Sequence, residues 1–427
     1  MSNNYCFLTI YRFASTALRI AVQVILLPLL ILQIADPTQK GSYLSMITVI
    51  SIAIGFPIFL LSAYLGDILN LKQFRRRIFI ILGVLLIFFG MILVWRVHNI
   101  KSLLLASMLI FSGISMSESS HSALIPDNVA QENYHRAASW LACFTFLGSL
   151  FGPLLAGLLT SPTTIKLING LFHKEIISNV NFYIPSVIAL MMTIVICALM
   201  NIFLIKECAV IPADHHDSGK RIWQVLFSFD IKMKCFWIYF LMRCFAALTA
   251  STFPGFILYY QRDMISAANP EMATAVSFVL LTMGALFGIS YIKLKLIAHY
   301  SPIKIITIAL ITMSTAILSF VLVTFTNVLI WYVAITFYGI GYGLFFSISF
   351  SYAMTIIPDP KWKGLFTSMV SSTTFVAYIL GMAIAGPLLD FFNRYSINMG
   401  YGALEIFFIF SLLCAMLLLQ LLRWLSP

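Results

Sequence analysis

The stretch Ser115-Met116-Ser117-Glu118-Ser119, followed by Ile125-Pro126-Asp127, returns as Ser347-Ile348-Ser349-Phe350-Ser351 and Ile357-Pro358-Asp359, every matched residue 232 positions later. Gly152-Pro153-Leu154-Leu155 returns in the same way as Gly386-Pro387-Leu388-Leu389, now 234 positions later, a drift that a small loop insertion explains. The chain therefore contains an internal duplication. In a membrane protein, duplication points to a transporter built from two related halves.

The composition places both halves in lipid. Hydrophobic residues make up 61% of the chain and charged residues 10%, with a mean hydropathy of +0.98. No water-facing surface of ordinary polarity can be built from such a chain. Its seven cysteines are an odd number, scattered through apolar runs without a CxxC pair. They read as small packing residues, so neither a disulfide framework nor a metal site is expected, and nothing calls for a cofactor. The N-terminus lacks a basic region ahead of its first apolar run and a small-residue cleavage pattern after it, so residues 8–33 read as a retained first span.

A hydrocarbon core about 30 Å thick needs roughly 20 apolar residues per helix. Twelve such stretches can be drawn, at 8–33, 43–66, 77–97, 102–126, 136–160, 182–205, 235–259, 272–292, 303–325, 328–357, 364–389 and 401–425. The longest polar interruption, 206–234, falls between the sixth and seventh. The expected organisation is thus a six-helix bundle over 1–205, a cytoplasmic linker over 206–234 and a second six-helix bundle over 235–427. With the N-terminus inside, inner segments hold 16 of the 26 Lys and Arg residues and outer segments seven. This bias places both termini in the cytoplasm. The net charge of +11 follows from that topology and the anionic inner leaflet, with no nucleic acid as partner. High Ile, Lys and Asn usage and compact loops favour a bacterial inner membrane.

Six spans per half is an even number, so the second half enters the membrane in the same orientation as the first. The predicted fold is all-α and integral to the membrane, with twelve transmembrane helices in two parallel six-helix repeats related by an axis along the membrane normal. Here the sequence also resembles the major facilitator superfamily. After the second span, Ala63-Tyr64-Leu65-Gly66-Asp67 with Arg75, Arg76 and Arg77 resembles the loop motif Gly-x-Leu-Ala-Asp-Arg-x-Gly-Arg-Arg. It departs from that motif at Ala63 and Ile68 and in the late arrival of the arginines. In the fifth span, Gly148-Ser149-Leu150-Phe151-Gly152-Pro153 with Ala156-Gly157 is similar to the pattern Gly-xxx-Gly-Pro-xx-Gly-Gly of antiporters, one glycine being replaced. Pro126-Asp127 and Arg136-Ala137-Ala138-Ser139, at the exit of the fourth span, resemble many bacterial members and the sugar-symporting branches.

Each motif also has a physical reading. Asp67, in a short basic loop, can pair with arginines and accept from a helix N-terminus. The resemblance implies that this loop meets the start of the eleventh span near Lys363 and Gly364 and latches the outward-facing state. The alternative is a solvated topogenic loop, since exposed ion pairs contribute only ~0–1 kcal/mol. Gly148, Gly152 and Gly157 line one face of the fifth span, where absent side chains admit a neighbouring helix, and Pro153 bends the axis. Gly386 and Pro387 repeat that arrangement in the second half.

Some charges cannot be assigned to loops: Arg19 near the middle of the first span, Glu118 within the fourth and Arg243 within the seventh. An ionised group facing lipid costs at least ~2.5–3.5 kcal/mol, so these residues should face a wet cavity or one another. The resemblance implies the same, because the first, fourth, seventh and tenth spans line the central cavity of that fold. Glu118 reads as the single acid clearly inside a span. It lies eight residues before Pro126, roughly 12 Å along the helix. It is the candidate proton carrier, and His121 at i+3 could share the proton. A static pair of Glu118 with an arginine is the alternative. Arg12, Arg19 and Gln23 share one stripe of the first span and, with Arg243, offer donors to a carboxylate, phosphate or sulfonate. Arg12 can instead snorkel to the interface and Arg19 can be structural. The repeat sets Ser347 and Ser349 of the tenth span against Ser115 and Ser117. Tyr239, Phe245, Phe253, Tyr259, Tyr260, Tyr338 and Tyr342 form the expected aromatic lining.

An enzyme is not expected, for the chain has no Walker-type loop, no HExxH and no extramembranous stretch long enough for a nucleotide-binding domain. The favoured reading is a monomeric secondary transporter moving a small organic solute, an anion among the candidates, by alternating access with proton-coupled efflux. Against proton antiport, the fourth-span stretch 107–113 lacks the arginine common in that branch. A proton-linked importer of a sugar or organic acid is the second reading, and a non-transporting membrane sensor the third.

Overall fold

The computed structural model describes residues 5–68, 76–129, 134–171, 182–204, 231–293, 301–322, 328–356 and 363–425. Among them twelve helices are long and apolar enough to cross a membrane: Leu8–Ile34, Pro37–Gly66, Arg77–Trp95, Ile100–Ser122, Trp140–Thr160, Ile184–Phe203, Met233–Met264, Pro270–Ser290, Pro302–Phe320, Val328–Ala353, Ser372–Asn393 and Met399–Leu425. They are spans 1 to 12 below. The chain is a multi-pass membrane protein.

Two boundaries differ from the sequence expectation for a physical reason. Span 2 starts at Pro37 because the Asp36 carboxylate accepts from the backbone N–H and the hydroxyl of Thr38, at 2.9 and 2.8 Å, and so caps the first turn. Those two bonds hold the Asp36 carboxyl below its ordinary value. Span 7 runs to Met264 because the backbone carries the polar run Gln261-Arg262-Asp263 in a π-helical turn, Tyr260–Met264, rather than ending where the apolar run ends. A short helix, Pro162–Leu171, occupies the first half of the segment between spans 5 and 6. Residues 206–230 of the expected linker lie outside the described residues.

The described residues group into two compact units, those of Met1–Pro212 with Gly255–Val279, and those of Ala213–Pro254 with Leu280–Pro427. Within the described residues the chain changes unit in span 8, after Val279, and in span 7, where its α-helix ends at Thr252 and a 3-10 turn follows over Phe253–Phe256. Pro254 lacks a backbone N–H, which accounts for the break.

In the first unit, helices meet at glycines. A Cβ on Gly152 would overlap the Ala17 carbonyl and one on Gly148 the Phe13 carbonyl, so span 5 lies backbone to backbone on span 1. Gly83 and Gly113 face each other in spans 3 and 4, each leaving no room for a Cβ against the other's carbonyl. Apolar helices in lipid have no hydrophobic drive to associate, so such close packing supplies the association. Span 1 is irregular: Val22–Leu26 is a π-helical turn directly ahead of Pro28, and the Leu27 N–H donates to the Val22 carbonyl.

In the second unit, span 10 packs on span 8 by the same device. A Cβ on Gly339 would overlap the Leu281 carbonyl, and one on Gly343 the Ala285 carbonyl. Spans 7 and 12 are tied by polar contacts instead. Ser411 Oγ donates to the Phe245 carbonyl at 2.7 Å and Thr249 Oγ1 to the Phe408 carbonyl at 3.1 Å.

Candidate functional site

In the first unit, spans 1 and 4 bring their charges together. Glu118 is 6% exposed. Its Oε2 lies 3.0 Å from Arg12 Nη1, and its Oε1 accepts from Ser15 Oγ at 3.0 Å. Arg12, Ser15 and Arg19 recur at helical spacing on span 1, which sets them on one face toward span 4. Arg19 acts electrostatically on the same carboxylate. It makes no ion pair among the described residues, and its Nε is buried without a partner, as is the Nε of Arg12. The cluster thus holds two guanidiniums and one carboxylate.

His121 is fully buried one turn beyond Glu118. Its Nε2 stands 2.8 Å from the Leu8 carbonyl, so that nitrogen carries the proton and donates. Nδ1 is buried without a partner, and the ring rests against Tyr11 at 5.4 Å between centroids. Asn201 of span 6 donates from Nδ2 to the same Leu8 carbonyl at 3.3 Å. His121 and Asn201 therefore fasten the beginning of span 1. No hydrogen bond joins His121 to Glu118 among the described residues. Gln23 sits half-buried in the π-helical turn of span 1.

In the second unit, Arg243 of span 7 is 4% exposed. Its Nε donates to Thr373 Oγ1 of span 11 at 3.2 Å, and its Nη1 donates to Ser349 Oγ of span 10. Thr373 passes its own proton to the Val370 carbonyl at 2.6 Å, which leaves its oxygen free to accept. Tyr239 Oη donates to the Ser349 carbonyl. The Phe346 ring covers the guanidinium at 5.5 Å and packs on Tyr342 at 4.6 Å. Among the described residues no carboxylate lies within ion-pair distance of Arg243, so its charge is held by neutral groups alone. Ser349, rather than Ser347, reaches the arginine, and Ser347 is half-buried on the neighbouring position of span 10.

A third cluster closes the loop end of spans 2 and 7 within the first unit. Lys40 Nζ pairs with Asp263 and lies over the Tyr259 ring at 5.3 Å. Gln261 Nε2 donates to Ser277 Oγ at 3.0 Å beside it. Gly157 packs here too, since a Cβ on it would stand 2.7 Å from Ala275 Cβ and 2.8 Å from the Glu271 carbonyl oxygen.

The remaining residues singled out in the sequence are distributed as follows. Arg76 is buried and donates from Nη1 to the Ala63 carbonyl at 3.4 Å, tucking onto the end of span 2. Arg77 begins span 3. Arg75 and the side chains of Asp67, Asp127 and Arg136 lie outside the described residues. Pro153 lies inside the helix of span 5 and Pro387 inside that of span 11, next to the buried Gly386. Of the expected aromatic lining, Tyr239, Phe253, Tyr259 and Tyr338 are fully buried in packed contacts, while Tyr342 is half-buried.

Sequence reasoning missed Ser15, Asn201 and Thr373, because a neutral hydroxyl or amide within an apolar run carries no signal until its partner is known. Glu118 is also not the single acid within a span. Glu271, Asp390 and Glu405 lie in spans 8, 11 and 12, the last two each 3% exposed. Among the described residues no group of three His, Cys, Asp or Glu side chains is placed to hold a metal ion.

The sequence profile described as Major Facilitator Superfamily matches residues 9–364. Among solved structures, the fold is similar to that of an autoinhibited POT family peptide transporter, at 15% identity over 99% of this chain and 97% of that chain, with a TM-score of 0.71. It is similar to a bacterial homologue of the iron transporter ferroportin, at 17% identity over 100% of both chains and a TM-score of 0.69. A third likeness is to the nucleoside transporter NupG, at 14% identity over 98% of this chain and 99% of that chain, with a TM-score of 0.63. Identities this low carry the fold alone. No curated protein matches in sequence.

Proposed function

Because the chain belongs to the Major Facilitator Superfamily, and is a transporter rather than an enzyme, we propose that it carries a small organic anion across the membrane together with a proton. In this reading the halves 1–205 and 235–427 alternate access about the cytoplasmic linker 206–234, both termini are cytoplasmic, and the monomer works in a bacterial inner membrane. The observation that carries it is Arg243, a buried guanidinium whose partners among the described residues are hydroxyl and aromatic groups. A buried charge without a counter-ion is costly, and an anionic solute is the missing half of the pair.

The charges of the first unit support co-transport as the direction of coupling. Arg12, Arg19 and Glu118 sum to one excess positive charge. Protonating Glu118 frees Arg12 and raises that excess, which strengthens the attraction for an anion. By linkage, binding of the anion in turn favours protonation of Glu118. Two ligands that favour each other's binding travel together, because linkage is reciprocal. Efflux by exchange with protons is the second reading, supported by the Gly148, Gly152, Pro153 and Gly157 pattern of span 5.

Reconstituted vesicles test both. With the outside more acid than the lumen, a labelled carboxylate should accumulate inside beyond its equilibrium level. Glu118→Gln should abolish that accumulation while leaving counterflow at equal pH intact. Labelled carboxylate that instead leaves loaded vesicles faster when the outside is made acid would support exchange and overturn co-transport.

A further inference from the structure

The surroundings of Arg243 define more than the charge of the solute, and we infer that the anion it takes is an aryl carboxylate, with a flat ring packed against Phe346 and Tyr342. This rests on the reading of Arg243 as an anion anchor and adds the nature of the solute's body. Phe346 covers one face of the guanidinium at 5.5 Å. Two of the guanidinium's donors are turned to Thr373 and Ser349. An anion must therefore approach edge-on, in the guanidinium plane, as a planar carboxylate does.

Tyr342 and Phe346 are four residues apart on span 10, and their rings pack at 4.6 Å with a 46° tilt. Both are half-buried, whereas Tyr239, which bonds the Ser349 carbonyl, and Tyr338, one turn before Tyr342, are sealed. Whatever binds Arg243 edge-on thus finds two half-buried aromatic rings beside the hydroxyls of Ser349 and Thr373. A small inorganic oxyanion has no apolar face to set against those rings. A flat ring gains stacking in addition to burial.

Calorimetric titration of the purified full chain with benzoate, cyclohexanecarboxylate, acetate, sulfate and benzamide tests the assignment. Benzoate should bind about threefold to tenfold more tightly than cyclohexanecarboxylate, the range expected of an aromatic pair. Acetate and sulfate should bind more weakly still. Phe346→Leu should erase the preference for benzoate over cyclohexanecarboxylate, Phe346→Tyr should keep it, and Arg243→Gln should abolish binding of both. Benzamide binding as tightly as benzoate would overturn the anion anchor itself. Cyclohexanecarboxylate or sulfate matching benzoate, or a preference that survives Phe346→Leu, would overturn only the aryl assignment. Failure of every carboxylate to bind at millimolar concentration would overturn both.

Discussion

Arg12 Nη1 stands 3.0 Å from Glu118 Oε2, and the same carboxylate accepts from Ser15 Oγ, so span 1 holds both oxygens of the acid that span 4 presents to it. Removing one partner of such a pair leaves the other charge uncompensated. Glu118 is buried while Arg12 keeps part of its side chain accessible, which tempers the cost. Arg12→Gln should destabilise the protein by about 1–3 kcal/mol. The double variant Arg12→Gln, Glu118→Gln should be destabilised by less than the sum of the singles. Thermal melts of the four proteins in one detergent check this, and strict additivity would remove the pair.

The Gly148 and Gly152 contacts with span 1 make a steric prediction. A methyl group at Gly152 meets the Ala17 carbonyl, which is backbone and cannot rotate away. Gly152→Ala should cost about 1–3 kcal/mol and lower the yield of folded protein. Gly402→Ala is the control, because nothing lies within 4 Å of its Cβ position. It should stay within about 0.5 kcal/mol of the parent in the same melt.

His121 uses Nε2 on the Leu8 carbonyl and leaves Nδ1 buried, which suits a neutral ring that fastens span 1. His121→Ala should destabilise by about 1–3 kcal/mol through the lost bond and the cavity. His121→Gln, which can donate to the same carbonyl, should recover part of that loss. The pH dependence of transport should be that of the parent in the glutamine variant, whereas a shifted profile would return His121 to the proton pathway.

Lys40 and Asp263 are brought together from the start of span 2 and the end of span 7, with the Tyr259 ring beside the ammonium. The singles Lys40→Asp and Asp263→Lys should each lower the melting temperature, because each sets like charges against one another. The charge-swapped double should recover. A coupling of about 1–2 kcal/mol in the double-mutant cycle is expected, and a cycle that closes to zero would make the pair a bystander.

The twelve spans were legible in the sequence because crossing lipid demands long apolar runs, and the helix is the cheapest way to satisfy their backbone. The repeat of Ser115 to Asp127 in Ser347 to Asp359, and the family it resembles, were legible for the same reason. Glu118, Arg19 and Arg243 stood out because charges inside apolar runs are expensive and therefore conspicuous.

Pairings were settled only by the tertiary structure. That Glu118 takes Arg12 and Ser15, that Arg243 takes Ser349 and Thr373, and that His121 turns to the Leu8 carbonyl depends on which helix faces meet and at what height. Those heights are set by glycine contacts such as Gly152 on Ala17 and by irregular turns such as Val22–Leu26 and Phe253–Phe256. A one-residue shift of a helix rotates every side chain by about 100°. Hydropathy is nearly blind to such a shift, whereas a hydrogen bond of 3 Å is not.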